Sequence, residues 1–239
     1  MITLERGFKG KNGVLYDNIN DVHLTCKNDL FNIGKFVAES RVNNSSYSYD
    51  DNAGCYVYVD KNNSNRAFRI YKDYADYKYT CHDDAKFISE LQNRQKNVKL
   101  TEFPTGVVSL ENYVIGQEII YYNNYLTLQN SLEFINKDKI IKYYIDILKI
   151  LKELVNNEII YKDLHYGNIV VDIVNDVVKL IDFESFFVSF DVKISYKHMI
   201  NNLKLMMNKI NTFLNLNLDI SKTDTLDNLE EVYLEYKKK

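Results

Sequence analysis

The stretch IIYKDLHYGNIVV, residues 159–171, most constrains this chain. An apolar run breaks for Asp163, His165, Gly167 and Asn168, then resumes as a second apolar run. A turn accounts for Gly167 and Asn168. It does not account for an Asp and a His set between two segments that want to be buried. What lies on either side decides the matter. KIIKYYIDILKILKELVNN (139–157) has apolar residues at 140, 141, 144, 145, 148, 151, 154 and 155, the stripe of a long amphipathic helix. On the far side, NIVVDI and VVKLIDF read as two short strands joined by VNDV. The unit is therefore helix, polar loop, strand, turn, strand. Asp163 and Asn168 are five residues apart in the loop, and Asp182 stands at the end of the second strand. Hard divalent cations take oxygen ligands such as carboxylates and amide carbonyls. A carboxylate also serves to orient or deprotonate a hydroxyl acceptor. These residue types, brought together by a loop and a hairpin, predict Asp163 as a base and Asn168 with Asp182 as metal ligands.

The remainder divides by its periodicity. Residues 1–30 show little period and read as an N-terminal extension. FNIGKFVAESRV (31–42) carries a strand and the start of a turn, and NNSSYSYDDNAG (43–54) is a polar loop. GCYVYVD and RAFRIYK alternate on either side of KNNSN, a hairpin. From Asp83 to about Lys96, Phe87, Ile88 and Leu91 make one helical face, with Asp83 and Asp84 at the positive end of its dipole. TGVVSL and YVIGQEII, joined by the turn EN, form a second hairpin. Further helices are predicted over about 196–213 and 225–236. A β-rich half with one helix precedes a helical half with one small hairpin.

Composition excludes several classes. Hydrophobic residues make up 46% of the 239 positions, enough for a sizeable core, and the formal net charge of -3 argues against general nucleic-acid binding. Cys26, Cys55 and Cys81 form no CxxC, and His82 is the sole nearby His, so neither zinc ligation nor a disulfide scaffold is expected. MITLERGFKG has no apolar signal segment, and no apolar run approaches the ~18 residues of a membrane span. The expectation is a cytoplasmic protein without a membrane partner.

YKDLHYGN resembles the catalytic loop of the protein-kinase-like superfamily, whose pattern is HRDxxxxN, and LIDFE resembles its DFG element. SELQNRQKNVKL (89–100) resembles the helix that carries the Glu partner of the strand Lys, here Glu90. YVIGQEII resembles the strand that enters the hinge. The likeness spans about residues 31–190. It implies an α+β, two-lobed protein-kinase-like fold: an antiparallel β N-lobe with one helix over 31–118, and a shortened helical C-lobe over 119–239. It further implies ATP with Mg²⁺ or Mn²⁺, held between the lobes. The adenine would lie near Ala67 and a hinge around Glu118 and Ile119, and the phosphates over Asp182. The strand cation is Arg69 or Lys72. RAFRIYK aligns best with Arg69 in the Lys position and Ala67 on its face, while Lys72 has the family's residue type on the opposite face.

Departures from the pattern shape the functional expectation. Tyr161 and Lys162 replace the His and Arg of HRD, and Tyr161 could pack as a spine residue. Lys162 is a poorer bidentate partner for an activating phosphate. His165 stands where protein kinases often carry a phosphate-contacting Lys. No GxGxxG is present; the resemblance leaves Gly34 as the candidate remnant of a phosphate loop, with the polar loop at 43–54 as the alternative cover for the phosphates through its backbone N–H groups. DLHYGN also looks like the loop of aminoglycoside and choline phosphotransferases. With residues 185–239 alone following Glu184, the chain looks most like minimal effector or viral kinases. That resemblance implies a serine/threonine-type protein kinase with a protein substrate, in a host cytoplasm if it is an effector. The alternatives are a small-molecule kinase and a pseudokinase acting as a binding module.

Overall fold

The computed structural model describes residues 3–9, 15–18, 23–25, 32–35, 38–41, 55–60, 63–71, 81–110, 113–161, 163–183, 186–188 and 192–238. Helices and antiparallel strands are both present, with five helices among the described residues, in agreement with the α+β expectation. Contacts divide the chain into two compact units. One comprises residues 1–96 and 103–123; the other comprises 97–102 and 124–239.

The first unit is built on a sheet. Its strands in chain order are β1 (Thr3–Lys9), β2 (Leu15–Asn18), β3 (His23–Thr25), β4 (Asn32–Lys35), β5 (Ala38–Arg41), β6 (Cys55–Asp60), β7 (Asn63–Tyr71), β8 (Gly106–Leu110) and β9 (Tyr113–Ile120), with helix α1 (Cys81–Gln95) after β7. β1 and β2 pair with each other, and the other seven form one antiparallel sheet in the order β4-β3-β8-β9-β7-β6-β5. The expected hairpins are β6–β7 and β8–β9. KNNSN is not all turn: Asp60 pairs with Asn63, so β7 begins inside it. Residues 1–30, read as an extension, carry three strands, and β3 pairs with β8 from Thr25↔Val107 to His23↔Ser109. A three-residue strand is too short for a visible period of two, and its partner lies more than eighty residues away. The loop at 43–54, Gly54 and Lys72 fall outside the described residues. Gly34 lies within β4.

α1 packs on β8 and β9. Of the predicted face, Ile88 and Leu91 are buried and Phe87 is half-buried. Two glutamines of α1 tie down the chain that follows. Gln95 Oε1 accepts from Phe103 N at 2.7 Å, and the Gln92 amide donates to the carbonyls of Thr105 and Pro104. Side-chain amides thereby satisfy backbone groups of the segment between α1 and β8.

The second unit is organised around α3. Its elements are β10 (Leu126–Thr127), α2 (Leu128–Ser131), α3 (Lys137–Asn156), β11 (Ile159–Tyr161), β12 (Ile169–Asp172), β13 (Val177–Leu180), β14 (Phe186–Val188), α4 (Val192–Phe213) and α5 (Leu226–Lys237). Asn136 caps α3, its side chain accepting from Lys139 N at 2.9 Å, with Asp138 in the first turn. The helix ends at Asn157, and Glu158 reverses the chain at φ 60°. The predicted stripe is buried except for Val155, and Tyr143, Ile147 and Ile150 are buried too. The reason is that α3 meets α5, β11 and β13 together, so more than one face leaves water. Each such side chain contributes about 1.5–3 kcal/mol of transfer free energy. Thr225 caps α5 through Asn228 N at 3.1 Å. Residues 97–102 join this unit because the Glu153 carboxylate accepts from Lys99 N and Leu100 N, and Lys179 pairs with Glu102 at 2.8 Å. No helix among the described residues is long and apolar enough to cross a membrane.

Candidate functional site

β11 delivers the polar loop. Ile159, Ile160 and Tyr161 are fully buried, and β11 pairs with β14 from Ile159↔Val188 to Tyr161↔Phe186. After Lys162, which lies outside the described residues, the side chains alternate. Asp163 is exposed, Leu164 is buried, and His165 is exposed. Leu164 is thus the apolar peg that turns its two polar neighbours outward. Tyr166 fixes the loop's far side by accepting from Gln129 N at 3.3 Å.

Asn168 closes the loop from within. Its side chain is buried, and Nδ2 donates to the backbone carbonyl of Asp163 at 3.0 Å, with Asp163 Oδ2 at 3.4 Å. Its backbone N–H donates to the His165 carbonyl at 3.0 Å. The amide nitrogen therefore faces Asp163, and the amide oxygen is the end turned away from it. His165 is oriented by Gly167, whose N–H donates to Nδ1 at 3.0 Å. A ring nitrogen that accepts carries no proton, so the neutral ring holds its proton on Nε2. That atom lies 3.8 Å from Asp163 Oδ2. Asp163 Oδ2 thus accepts from the Asn168 amide at 3.4 Å and has the His165 ring beside it.

The β12–β13 hairpin returns the chain to the same place. Ile169 pairs with Leu180, and one step on, Ile181 N donates to the Asn168 carbonyl at 2.9 Å. The Tyr161 hydroxyl donates to the Ile181 carbonyl at 2.7 Å. Asp182 follows with φ 66°, a left-handed conformation that costs an L-residue about 1–2 kcal/mol. Such positions persist only where surrounding contacts impose them. Phe183 after it is buried.

α3 anchors the hairpin's turn. Lys139 Nζ donates to the Ile173 carbonyl and pairs with Asp176 at 2.9 Å, and the Tyr143 hydroxyl donates to Asp176 at 3.2 Å. The bond from Lys139 lowers the Asp176 pKa, while burial first, and then Asp176, raises that of Tyr143. Asp172 accepts from Asn175 and Val174, bonds that lower its pKa. The hairpin that carries Asp182 is therefore fixed at both ends.

The remaining sequence-predicted residues lie in the first unit. Ala67 and Arg69 pair with Ile119 and Gln117, so these four share one face of the sheet. Ala67 is fully buried. Glu118 and Ile119 lie among the last three residues of β9, and the Glu118 carbonyl accepts from Thr105 N at 2.9 Å. The Glu118 carboxylate is held by Arg66 in a fork, Nε–Oε1 at 3.0 Å and Nη2–Oε2 at 3.2 Å. The strand ends at Ile120, and Tyr121 N donates to Asn65. A cavity of about 480 Å³ opens beside this pair, lined by Asn65, Arg66, Glu118 and residues 119–123 among others. Glu90 pairs with Arg94, one turn on along α1, at 2.9 Å.

Sequence reasoning missed the hydroxyl of Tyr161 and the partner of Glu118. Period-two alternation put Arg66 opposite Ala67, but only the β7–β9 register brings it to Glu118. For Tyr161, the signal was its place in the pattern, read as packing alone.

Among the described residues, no three His, Cys, Asp or Glu side chains form a metal-holding group. The set suggested by the sequence is different: one amide, Asn168, and one carboxylate, Asp182. Asn168 and Asp182 are oxygen donors of the type that Mg²⁺ or Mn²⁺ takes, and the Asn168 amide nitrogen, not its oxygen, is the end bonded to Asp163. The donor chemistry fits. No protein-family model matches the chain, and no curated protein matches it.

Proposed function

We propose that this chain is an ATP-dependent phosphotransferase with a two-lobed protein-kinase-like fold, transferring the γ-phosphate to a protein hydroxyl. One observation carries the reading. Asp163, Asn168 and the Ile181–Asp182 step are gathered by direct hydrogen bonds, with Asp163 exposed and Asn168 buried. A base must reach its acceptor, whereas a metal ligand gains from being held. Asn168 and Asp182 would hold the metal, which when bound offsets charge on the phosphates. Asp163 would orient the acceptor hydroxyl and receive its proton at the carboxylate. The Asn168 amide lies 3.4 Å from Oδ2 and His165 Nε2 lies 3.8 Å from it, so both flank one side of that carboxylate. Catalysis of this kind rests on positioning and electrostatics.

Mg²⁺-dependent stabilisation by ATP tests the binding half of the reading, because a ligand bound to the native state alone raises apparent stability. Labelled ATP with the protein alone, then with a host lysate, tests transfer. Metal-dependent stabilisation and labelled protein are expected. Neither, over a long incubation, rejects the reading.

A binding module without transfer is the second reading, and Glu90 is the observation that favours it. Its carboxylate is engaged by Arg94, whereas the resemblance implies a pairing with the strand cation. Nucleotide binding without metal dependence and without turnover would select it.

A further inference from the structure

We propose that the hydroxyl of Tyr161 is a positioning group that holds Asp182 in its left-handed conformation. The inference rests, for its functional consequence, on the reading of Asp182 as a metal ligand. The geometry itself does not.

The peptide unit between Ile181 and Asp182 is planar, so fixing the direction of its carbonyl also fixes the direction of the Asp182 N–H. The Tyr161 hydroxyl donates to that carbonyl at 2.7 Å. The preceding peptide is fixed as well, since Ile181 N donates to Asn168 at 2.9 Å. Ile181 is thus clamped on both sides, and the next residue is the one with φ 66°. Tyr161 is 0% exposed, so its ring is set by packing and its oxygen has little freedom to aim elsewhere. The same residue lies two positions before Asp163. One side chain therefore links the segment bearing the proposed base to the segment bearing the proposed metal ligand. A phenylalanine would fill the ring's space equally well and would remove this hydroxyl bond.

Groups that orient a metal ligand without touching the metal change affinity by about 10–100-fold when removed. Tyr161→Phe is the test, with Tyr144→Phe as its control. Tyr144 is also buried and donates to a backbone carbonyl, that of Met207, with no bond to the Asp182 segment. Two quantities are measured. The backbone ¹³C shifts of Asp182, without ligand, should leave the left-handed range in Tyr161→Phe and stay in Tyr144→Phe. The Mg²⁺ concentration giving half of the ATP-dependent stabilisation should rise about tenfold or more in Tyr161→Phe alone. Unchanged Asp182 shifts in Tyr161→Phe overturn the inference, even if the wild-type protein binds Mg-ATP. Equal movement of either quantity in both variants overturns it too, because that is general loosening. Shifts that move in a protein whose wild type ignores Mg-ATP leave the positioning role standing and reject the functional reading instead.

Discussion

Asn168 Nδ2 donates to the backbone carbonyl of Asp163 at 3.0 Å, so the proposed metal ligand braces the residue proposed as base. This bond separates what each substitution should do. Asp163→Asn keeps the backbone carbonyl and the bond to it. It removes the carboxylate that would orient and deprotonate a hydroxyl. Turnover should fall ~10²-fold or more with nucleotide affinity little changed. Asp182→Ala should weaken Mg-ATP binding itself. Single-turnover rates and titration of nucleotide binding distinguish the two, and unchanged turnover in both variants rejects the assignment.

Glu118 makes a prediction of a different kind. Its side chain is 9% exposed, that of Arg66 is 20% exposed, and the two are joined by a two-bond fork. Removing one partner leaves the other charge poorly solvated, which costs about 3–5 kcal/mol for fully buried pairs. With Arg66 partly solvated, about 1–3 kcal/mol is expected for Glu118→Ala. Replacing both residues by apolar ones of similar size should restore most of the loss. Urea unfolding of the two singles and the double variant measures this. Additive losses would mean the fork contributes no coupling.

How much of this was legible in the sequence follows from the range of the interactions. The stripe of α3 is local, and so are the alternation of β6–β7 and β8–β9 and the five-residue step from Asp163 to Asn168. These could be read directly. The pairing of β3 with β8 depends on a three-residue strand and a distant partner, and 1–30 was accordingly read as an extension. Glu118 fell where the resemblance put a hinge, and its partner Arg66 was hidden because the β7–β9 register is not deducible from either strand alone. The extra buried face of α3, Tyr143 with Ile147 and Ile150, was hidden because a stripe reports one packing surface and α3 has several.

The β12–β13 turn should be sensitive to acid. The Asp172 carboxylate is held below its ordinary 3.8 by bonds from Asn175, first the backbone N–H and then the side chain. A depressed folded-state pKa contributes stability that is present above the unfolded value and lost as pH falls through the folded one. Stability attributable to Asp172 should therefore be intact above pH 5 and decline below about 3.8. Asp172→Asn should flatten that acid limb while leaving the slope above pH 6 unchanged. Thermal unfolding from pH 2.5 to 7 reads it out, and parallel profiles for the two proteins would contradict it.

The strand cation is the last assignment to be tested. Arg69 shares a face with Ala67, Gln117 and Ile119 through the β7–β9 register. Side chains alternate along a regular strand, so Lys72, three residues on, would point to the other face if β7 continued unchanged. Glu90, the partner implied by the resemblance, is bonded to Arg94. An i,i+4 surface pair of this kind contributes only about 0.3–0.5 kcal/mol, so a phosphate-bound cation could draw Glu90 away at little cost. If Arg69 faces the phosphates, Arg69→Ala should reduce ATP use ~10²-fold while Lys72→Ala is mild. Arg69→Lys should retain activity, since a Lys in that position keeps the charge. Arg94→Ala should then help rather than harm, by freeing Glu90 to meet Arg69. Steady-state kinetics on the four variants decide the matter. A damaging Lys72→Ala beside a silent Arg69→Ala would mean that the strand is bulged past Tyr71 and that the cation is Lys72.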